Sequence, residues 1–261
     1  MPEAEIQQLR WYHTIDLPGG VSTAGEYDLR PIVDRLPWPE SMAGMRCLDV
    51  GSRDGFYAFF MERLGAAEVV SLDVGEPEHI DFPGPRPEPA AIAAEIDAGH
   101  RAFEAARAAL GSRVERCRDG VYALSEAAHG RFDFAVIGTL LHHLRDPGRA
   151  LAATRSVLDG PLLVNDAVIP GLDSLRRRPL SEPLLYPGPF WSVPNPAGLA
   201  RMVQAAGFEV LATGRPYLIP RGAGPGAPAL AECLGPPLRD VPRRLLARRG
   251  ALHAWVLGGP R

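Results

Sequence analysis

Two adjacent imidazoles, His142 and His143, follow directly on the apolar run Phe132 to Gly138 and precede Asp146-Pro147. A neutral imidazole accepts a proton near neutral pH, so the pair suits a reaction in which a nucleophile must lose a proton. The alternative is structural, a histidine that packs or bonds to its own loop. Three acids occupy comparable places: Asp73 after Val69-Val70-Ser71-Leu72, Asp119 after Arg113 to Cys117, and Asp166 within Pro161 to Val168. A carboxylate at a strand end can accept both hydroxyls of a ribose, the task expected of Asp73. Asp119 can accept the exocyclic amine of adenine or simply form a turn. Asp166 and His13 are reserves for the proton or for the acceptor.

These residues need a scaffold, and the stretch from 46 to 57 supplies its centre. Cys47, Leu48 and Val50 read as a buried parallel strand, Gly51 and Gly55 bracket a tight turn, and a helix starts near Asp54. A residue without a Cβ lets a ligand approach the backbone, and the free N–H groups of a helix start point at it. Asp73 falls 22 residues after Gly51, at the end of a second strand. The spacing is Gly-x-x-x-Gly, not the Gly-x-Gly-x-x-Gly of nicotinamide-binding folds, which argues against an oxidoreductase.

The rest of the chain alternates in the same way. Residues 4–10 read as a short helix, followed by Trp11-Tyr12-His13, a cluster that can plug the arm into the core or close over a site. Residues 28–36 read as a helix, as do 56–64 and the alanine-rich 90–110, with 75–89 as an irregular loop. Asp146 and Asn195 are placed as helix caps, and strands are expected at 208–212 and 251–257. Residues 1–40 are expected to form an arm and lid, and 41–261 one catalytic domain. Within it, 169–194, with Tyr186, Phe190 and Trp191, reads as an insertion covering the crevice.

Composition narrows the partners. Apolar residues make up 46% and charged residues 23%, as in an ordinary globular protein. A net charge of −3 offers no general attraction to nucleic acid or an anionic membrane, and the runs Arg176-Arg177-Arg178 and Arg243 to Arg249 read as solvated faces. Three widely separated cysteines suggest neither a disulfide framework nor zinc, and no metal is expected. The acidic start and the lack of any long apolar run predict a cytoplasmic protein without a membrane span.

Asp49, Gly51 and Gly55 resemble the signature of class I S-adenosylmethionine-dependent methyltransferases, an acid before Gly-x-Gly-x-Gly, with Arg53 where the middle glycine is usual. The resemblance implies a Rossmann-like α/β fold, a mostly parallel seven-stranded sheet with helices on both faces. Trp-Tyr-His-Thr-Ile at 11, Asp-Leu-Arg-Pro at 28, Leu-Asp-Val-Gly-Ser-Arg-Asp-Gly-Phe at 48 and Leu-His-His-Leu-Arg-Asp-Pro at 141 are similar to the tRNA wobble-uridine carboxymethyltransferase branch. That branch uses carboxy-S-adenosylmethionine. Its tyrosine, arginine and lysine are matched here by His142, His253 and a position near His13, so ordinary S-adenosyl-L-methionine is expected. The implied cofactor-binding set is Asp49, Gly51, Ser52, Arg53, Asp54, Gly55, Phe56, Asp73, Val74, Asp119, Gly120, Gly138 and Thr139. The expected acceptor set is Trp11, Tyr12, His13, Asp166 and Trp191, with His142 and His143 as candidate bases. A small-molecule acceptor is the first expectation, tRNA the second, and a non-catalytic nucleoside-binding subunit the third.

Overall fold

The computed structural model describes residues 3–169, 178–183, 190–234 and 241–261. The apolar runs form five parallel strands: β1 (Arg46–Val50), β2 (Glu68–Asp73), β3 (Glu115–Arg118), β4 (Phe134–Gly138) and β5 (Leu162–Ala167). Three antiparallel strands follow, β6 (Phe208–Thr213), β7 (Tyr217–Pro220) and β8 (Gly250–Pro260). Their order is β6-β8-β5-β4-β1-β2-β3, with β7 also paired to β8. The eleven-residue β8 holds β6 along its second half and β7 along its first. Strand β7 goes beyond the seven strands read from sequence. The chain leaves the edge strand β3 and returns beside β1 as β4, so the carboxyl ends of β1 and β4 flank the switch point where such sheets bind ligands.

Both sheet faces are buried, as a central parallel sheet requires. Cys47, Val69, Phe134 and Val136 face helices α1 (Phe56–Arg63) and α2 (Pro89–Leu110) and the N-terminal arm. Leu48, Val50, Val70, Ala135 and Ile137 face α3 (Pro147–Ser156) and α4 (Pro196–Ala205). Phe59 of α1 stacks on Phe103 of α2 with ring centroids 5.3 Å apart. The caps at Asp146 and Asn195 form as expected, each side chain accepting an N–H three residues on.

The arm begins with the helix Glu3–Gln8 and continues as short strands, Trp11–His13 parallel to Gly25–Tyr27 and Asp16–Leu17 against Val21–Ser22. Residues 28–36 are helical only over Arg30–Val33, which corrects the longer helix read from their spacing. The Asp28 N–H continues into the sheet by donating to Pro220 O, and its carboxylate is spent on Arg30, leaving no side-chain cap. The residues expected to form the crevice insertion are described only in part, and Tyr186, Arg176 and Arg177 lie outside the described residues.

Candidate active site

The turn after β1 is tied to β2, since Gly51 N and Ser52 N both donate to Leu72 O at 2.9 and 3.1 Å. Gly51 (φ +76°) and Gly55 (φ +91°) take left-handed conformations, and so does Arg53 (φ +52°). Arg53 therefore adopts the backbone conformation that favours glycine, at a cost of about 1–2 kcal/mol. Its guanidinium turns away to Glu95 on α2. A Cβ on Gly51 would stand 3.0 Å from Leu140, so this backbone faces the loop after β4 directly across the switch point. Gly55 serves packing instead: a Cβ there would lie 2.6–2.7 Å from the Phe59 and Phe103 rings.

Asp49 is buried and accepts Ser52 Oγ at 2.6 Å and Ala58 N at 3.0 Å, stapling turn and helix to the strand. Burial pushes its pKa up to about 6 despite these bonds. Asp54 is turned to the N-terminal arm. Its Oδ2 accepts Tyr12 N at 2.7 Å and His13 N at 2.8 Å, and its Oδ1 meets His13 Nδ1, so the acid clasps the arm to the cofactor turn. Burial opposes this charge, but the His13 contacts and the two N–H bonds hold its pKa low. Phe56 is buried beneath the His13 ring, 5.5 Å between centroids.

At the end of β2, Asp73 accepts Val74 N at 2.8 Å and Arg116 at 3.0 Å. Sequence reasoning missed Arg116, which sits on β3 with a side chain only 6% exposed. It also donates to Ser71 Oγ and His100 Nδ1 and lies over the Phe103 ring. His100 accepts at Nδ1 and so donates its Nε2–H to Val74 O at 3.0 Å. Burial and the Arg116 charge lower the His100 pKa, which preserves that arrangement. Asp119 accepts Gly120 N and stands between His129 (3.5 Å) and His79 (4.0 Å), while a Cβ on Gly120 would press on the His79 ring.

Past β4, Gly138 is explained by packing, because a Cβ there would lie 2.3 Å from the Tyr57 ring. Thr139 has φ +58°, an uncommon conformation for a β-branched residue. Its N–H to Asn165 O and its contact with His253 Nε2, 2.8 and 3.0 Å, hold it there. Asp166 is fully buried and gathers four donors: Leu140 N and Leu141 N on Oδ2, His142 Nδ1 and Ala167 N on Oδ1. Burial would raise its pKa, but the His142 bond and charge, the His253 charge and the Leu141 N–H hold it below the usual carboxylate range. With Nδ1 donating to Asp166, neutral His142 carries its free lone pair on Nε2. The His143 ring lies tilted against it with centroids 4.0 Å apart, Phe190 stacks on His142 and packs on His143, and Trp191 N donates to His142 O.

The arm lies across the same edge. Tyr12, His13, Thr139 and His253 line a cavity of about 10 Å³ between the arm and β8. Burial pushes the His253 pKa down to about 4. Trp11 stands apart, buried in the core that the arm shares with the sheet, α1 and α2 and with its indole N–H on Ile6 O, so the structure corrects its place among acceptor contacts. Arg30, bound to Asp16 and Asp28, lines a separate cleft of about 450 Å³ on the outer face of α1.

A family model described as a methyltransferase domain matches residues 23–213, most of the chain. The chain belongs to the methyltransferase-domain family. Among solved structures, the N-terminal domain of EvdMO1 with S-adenosylhomocysteine bound is 18% identical, covering 99% of this chain and 94% of that one at a TM-score of 0.50. The YcgJ protein from Bacillus subtilis is 16% identical, with coverage of 85% and 94% and a TM-score of 0.50. No curated protein matches this sequence. This methyltransferase has the Rossmann-like fold. Its residues at the switch point fit S-adenosyl-L-methionine, the donor that the sequence resemblance implies. Gly51, with the Leu140 side chain close over it, lies at the switch point, and Asp73 stands oriented at the end of the neighbouring strand. Among the described residues, no helix is long and apolar enough to cross a membrane.

Proposed function

We propose that this methyltransferase acts on a small-molecule acceptor whose nucleophile, a hydroxyl or similar protonated group, is deprotonated by His142 as the methyl group is transferred. The observation that carries this reading is the buried Asp166–His142 pair at the carboxyl edge of β4 and β5. When bound, S-adenosylmethionine supplies an electrophilic sulfonium methyl group. The methyl group would pass to the acceptor oxygen with sulfur keeping the bonding electrons, and His142 Nε2 would take the hydroxyl proton that the acceptor gives up. Asp166 fixes the tautomer that leaves Nε2 available and balances the imidazolium charge.

In this reading Gly51, Asp73, Val74, Asp119, Gly120 and Thr139 hold the donor through the crevice edge. Tyr12, His13 and Trp191 border the acceptor, and the clasp at Asp54 makes residues 1–40 a lid. His143 shapes the pocket by packing against His142 and Phe190. The motifs shared with the tRNA-modifying branch support tRNA as a second acceptor class, but the net charge of −3 favours the small molecule. The reading is tested by incubating cell extract with the enzyme and isotopically labelled S-adenosylmethionine, then separating small molecules from RNA before mass spectrometry. Label in a small molecule, with a rate reduced about 10²–10⁴-fold in His142→Gln, is the expected result. Label confined to tRNA would move the assignment to the second class.

A further inference from the structure

The loop carrying His142 is anchored at both ends. At its start Leu140 N and Leu141 N are held by Asp166. At its end the partners come from elsewhere. Arg145 N donates to Asp81 Oδ2 at 2.8 Å, and Asp146 N donates to the Tyr122 hydroxyl at 3.0 Å, which in turn donates to the same Asp81 oxygen at 2.6 Å. One carboxylate oxygen thus joins the segment after β2, the turn after β3 and the loop after β4. Asp81 lies eight residues beyond Asp73 on one continuous segment, and that segment is itself held. Val74 O accepts His100 Nε2, and Gly75 N donates to His79 Nδ1. The crevice edge at 73–79 and residues 145 and 146 are thus joined through Asp81 and its hydrogen bonds. The Arg149 guanidinium lies 4.9 Å over the Tyr122 ring and restricts the ring that carries the shared hydroxyl.

We infer that Asp81, acting with Tyr122, is a positioning residue that couples occupancy of the cofactor crevice to the placement of His142. This rests on the reading that Asp73 and Asp119 border the cofactor and that His142 is the base. Without Asp81, Arg145 N loses its acceptor and the Tyr122 hydroxyl loses its orientation, so the hold at this end of the loop is weakened while the Asp166 end stays pinned. A base displaced by about 1 Å can cost on the order of 10²-fold in rate, so such a link bears directly on turnover.

The test uses full-length protein labelled with 15N-histidine and titrated with S-adenosylhomocysteine, the His142 signal being assigned from its absence in His142→Gln. In the wild type, binding should shift the His142 resonances. In Asp81→Ala, S-adenosylhomocysteine should bind within about threefold of wild type, yet the His142 response should be lost. Asp81→Asn, which keeps an oxygen acceptor, should restore at least part of it. Melting curves check folding, and if Asp81→Ala does not fold, Tyr122→Phe takes its place with the same expectation. A wild-type response in the truncated variant, or a His142 signal indifferent to bound ligand in the wild type, overturns the coupling. A loss of affinity beyond about 30-fold would make Asp81 a cofactor contact and also overturn it. Failure of the base assignment is seen separately, as undiminished methyl transfer by His142→Gln with a coupled His142 signal still present.

Discussion

Replacing Asp166 with Asn tests the centre of the proposed site with almost no change of shape. The carboxylate receives Leu140 N and Leu141 N at 2.8 and 2.7 Å on one oxygen, and His142 Nδ1 and Ala167 N at 2.9 and 2.8 Å on the other. An amide has only one acceptor atom. If its oxygen keeps the two loop N–H groups, its NH2 meets two donors. His142 can relieve its half of that conflict by carrying its proton on Nε2, but Ala167 N–H has no such freedom. One buried unsatisfied donor costs about 1–3 kcal/mol, and weakening the charge-assisted bonds adds to this. Removing a buried charge recovers part of the loss, so a net destabilisation of about 2 kcal/mol is expected at neutral pH. Because the folded pKa of Asp166 is depressed, its contribution is present above the unfolded carboxylate pKa and fades as pH falls through the folded value. The gap between variant and wild type should therefore narrow in acid. Urea unfolding gives the stability, and 15N spectra give the protonated nitrogen of His142. Equal stability at neutral pH, or a His142 still protonated on Nδ1 in the variant, would refute this account.

Asp73→Ala should weaken S-adenosylhomocysteine binding by about 1.5–3 kcal/mol in calorimetry, the range for hydrogen bonds to a charged group, and an unchanged dissociation constant would take Asp73 out of the site. Gly138→Ala drives a Cβ to 2.3 Å from the Tyr57 ring and should destabilise the fold by about 1–3 kcal/mol in denaturant; a neutral result would show that the ring has room to move. His253 is held neutral with a pKa near 4, so the unfolded chain takes up its proton first as pH falls below about 6.5. Wild-type stability should then drop by about 3 kcal/mol between pH 6.5 and 4 relative to His253→Asn. Comparison with that variant removes the opposite trend from Asp49, whose raised pKa lowers stability as pH rises toward 6. Parallel pH profiles for the two proteins would sink the prediction.

The sheet was legible because strands buried on both faces read as near-continuous apolar runs, and those at 47–50, 69–72, 134–138 and 162–164 carry no polar residue beyond Asp49 and Ser71. The glycine turn and the position of the acid that ends β2 were legible for a similar reason, since both are local to one strand–turn–helix–strand unit. The caps at Asp146 and Asn195 likewise act within three residues. The roles of Gly55, Gly138, Asp54 and Trp11 were not legible. Each is set by a partner distant in sequence: the Phe103 ring for Gly55, the Tyr57 ring for Gly138, the arm for Asp54 and, for Trp11, the hydrophobic core that the arm shares with the sheet, α1 and α2. Arg116 and Asp81 carried no motif, and they gain meaning only where the sheet brings β2, β3 and the loop after β4 to one edge. Sequence shows which groups can accept a proton or a hydrogen bond. Only the tertiary structure decides which are already taken: Asp54 is consumed by His13, while His142, through Asp166, is left with a free nitrogen.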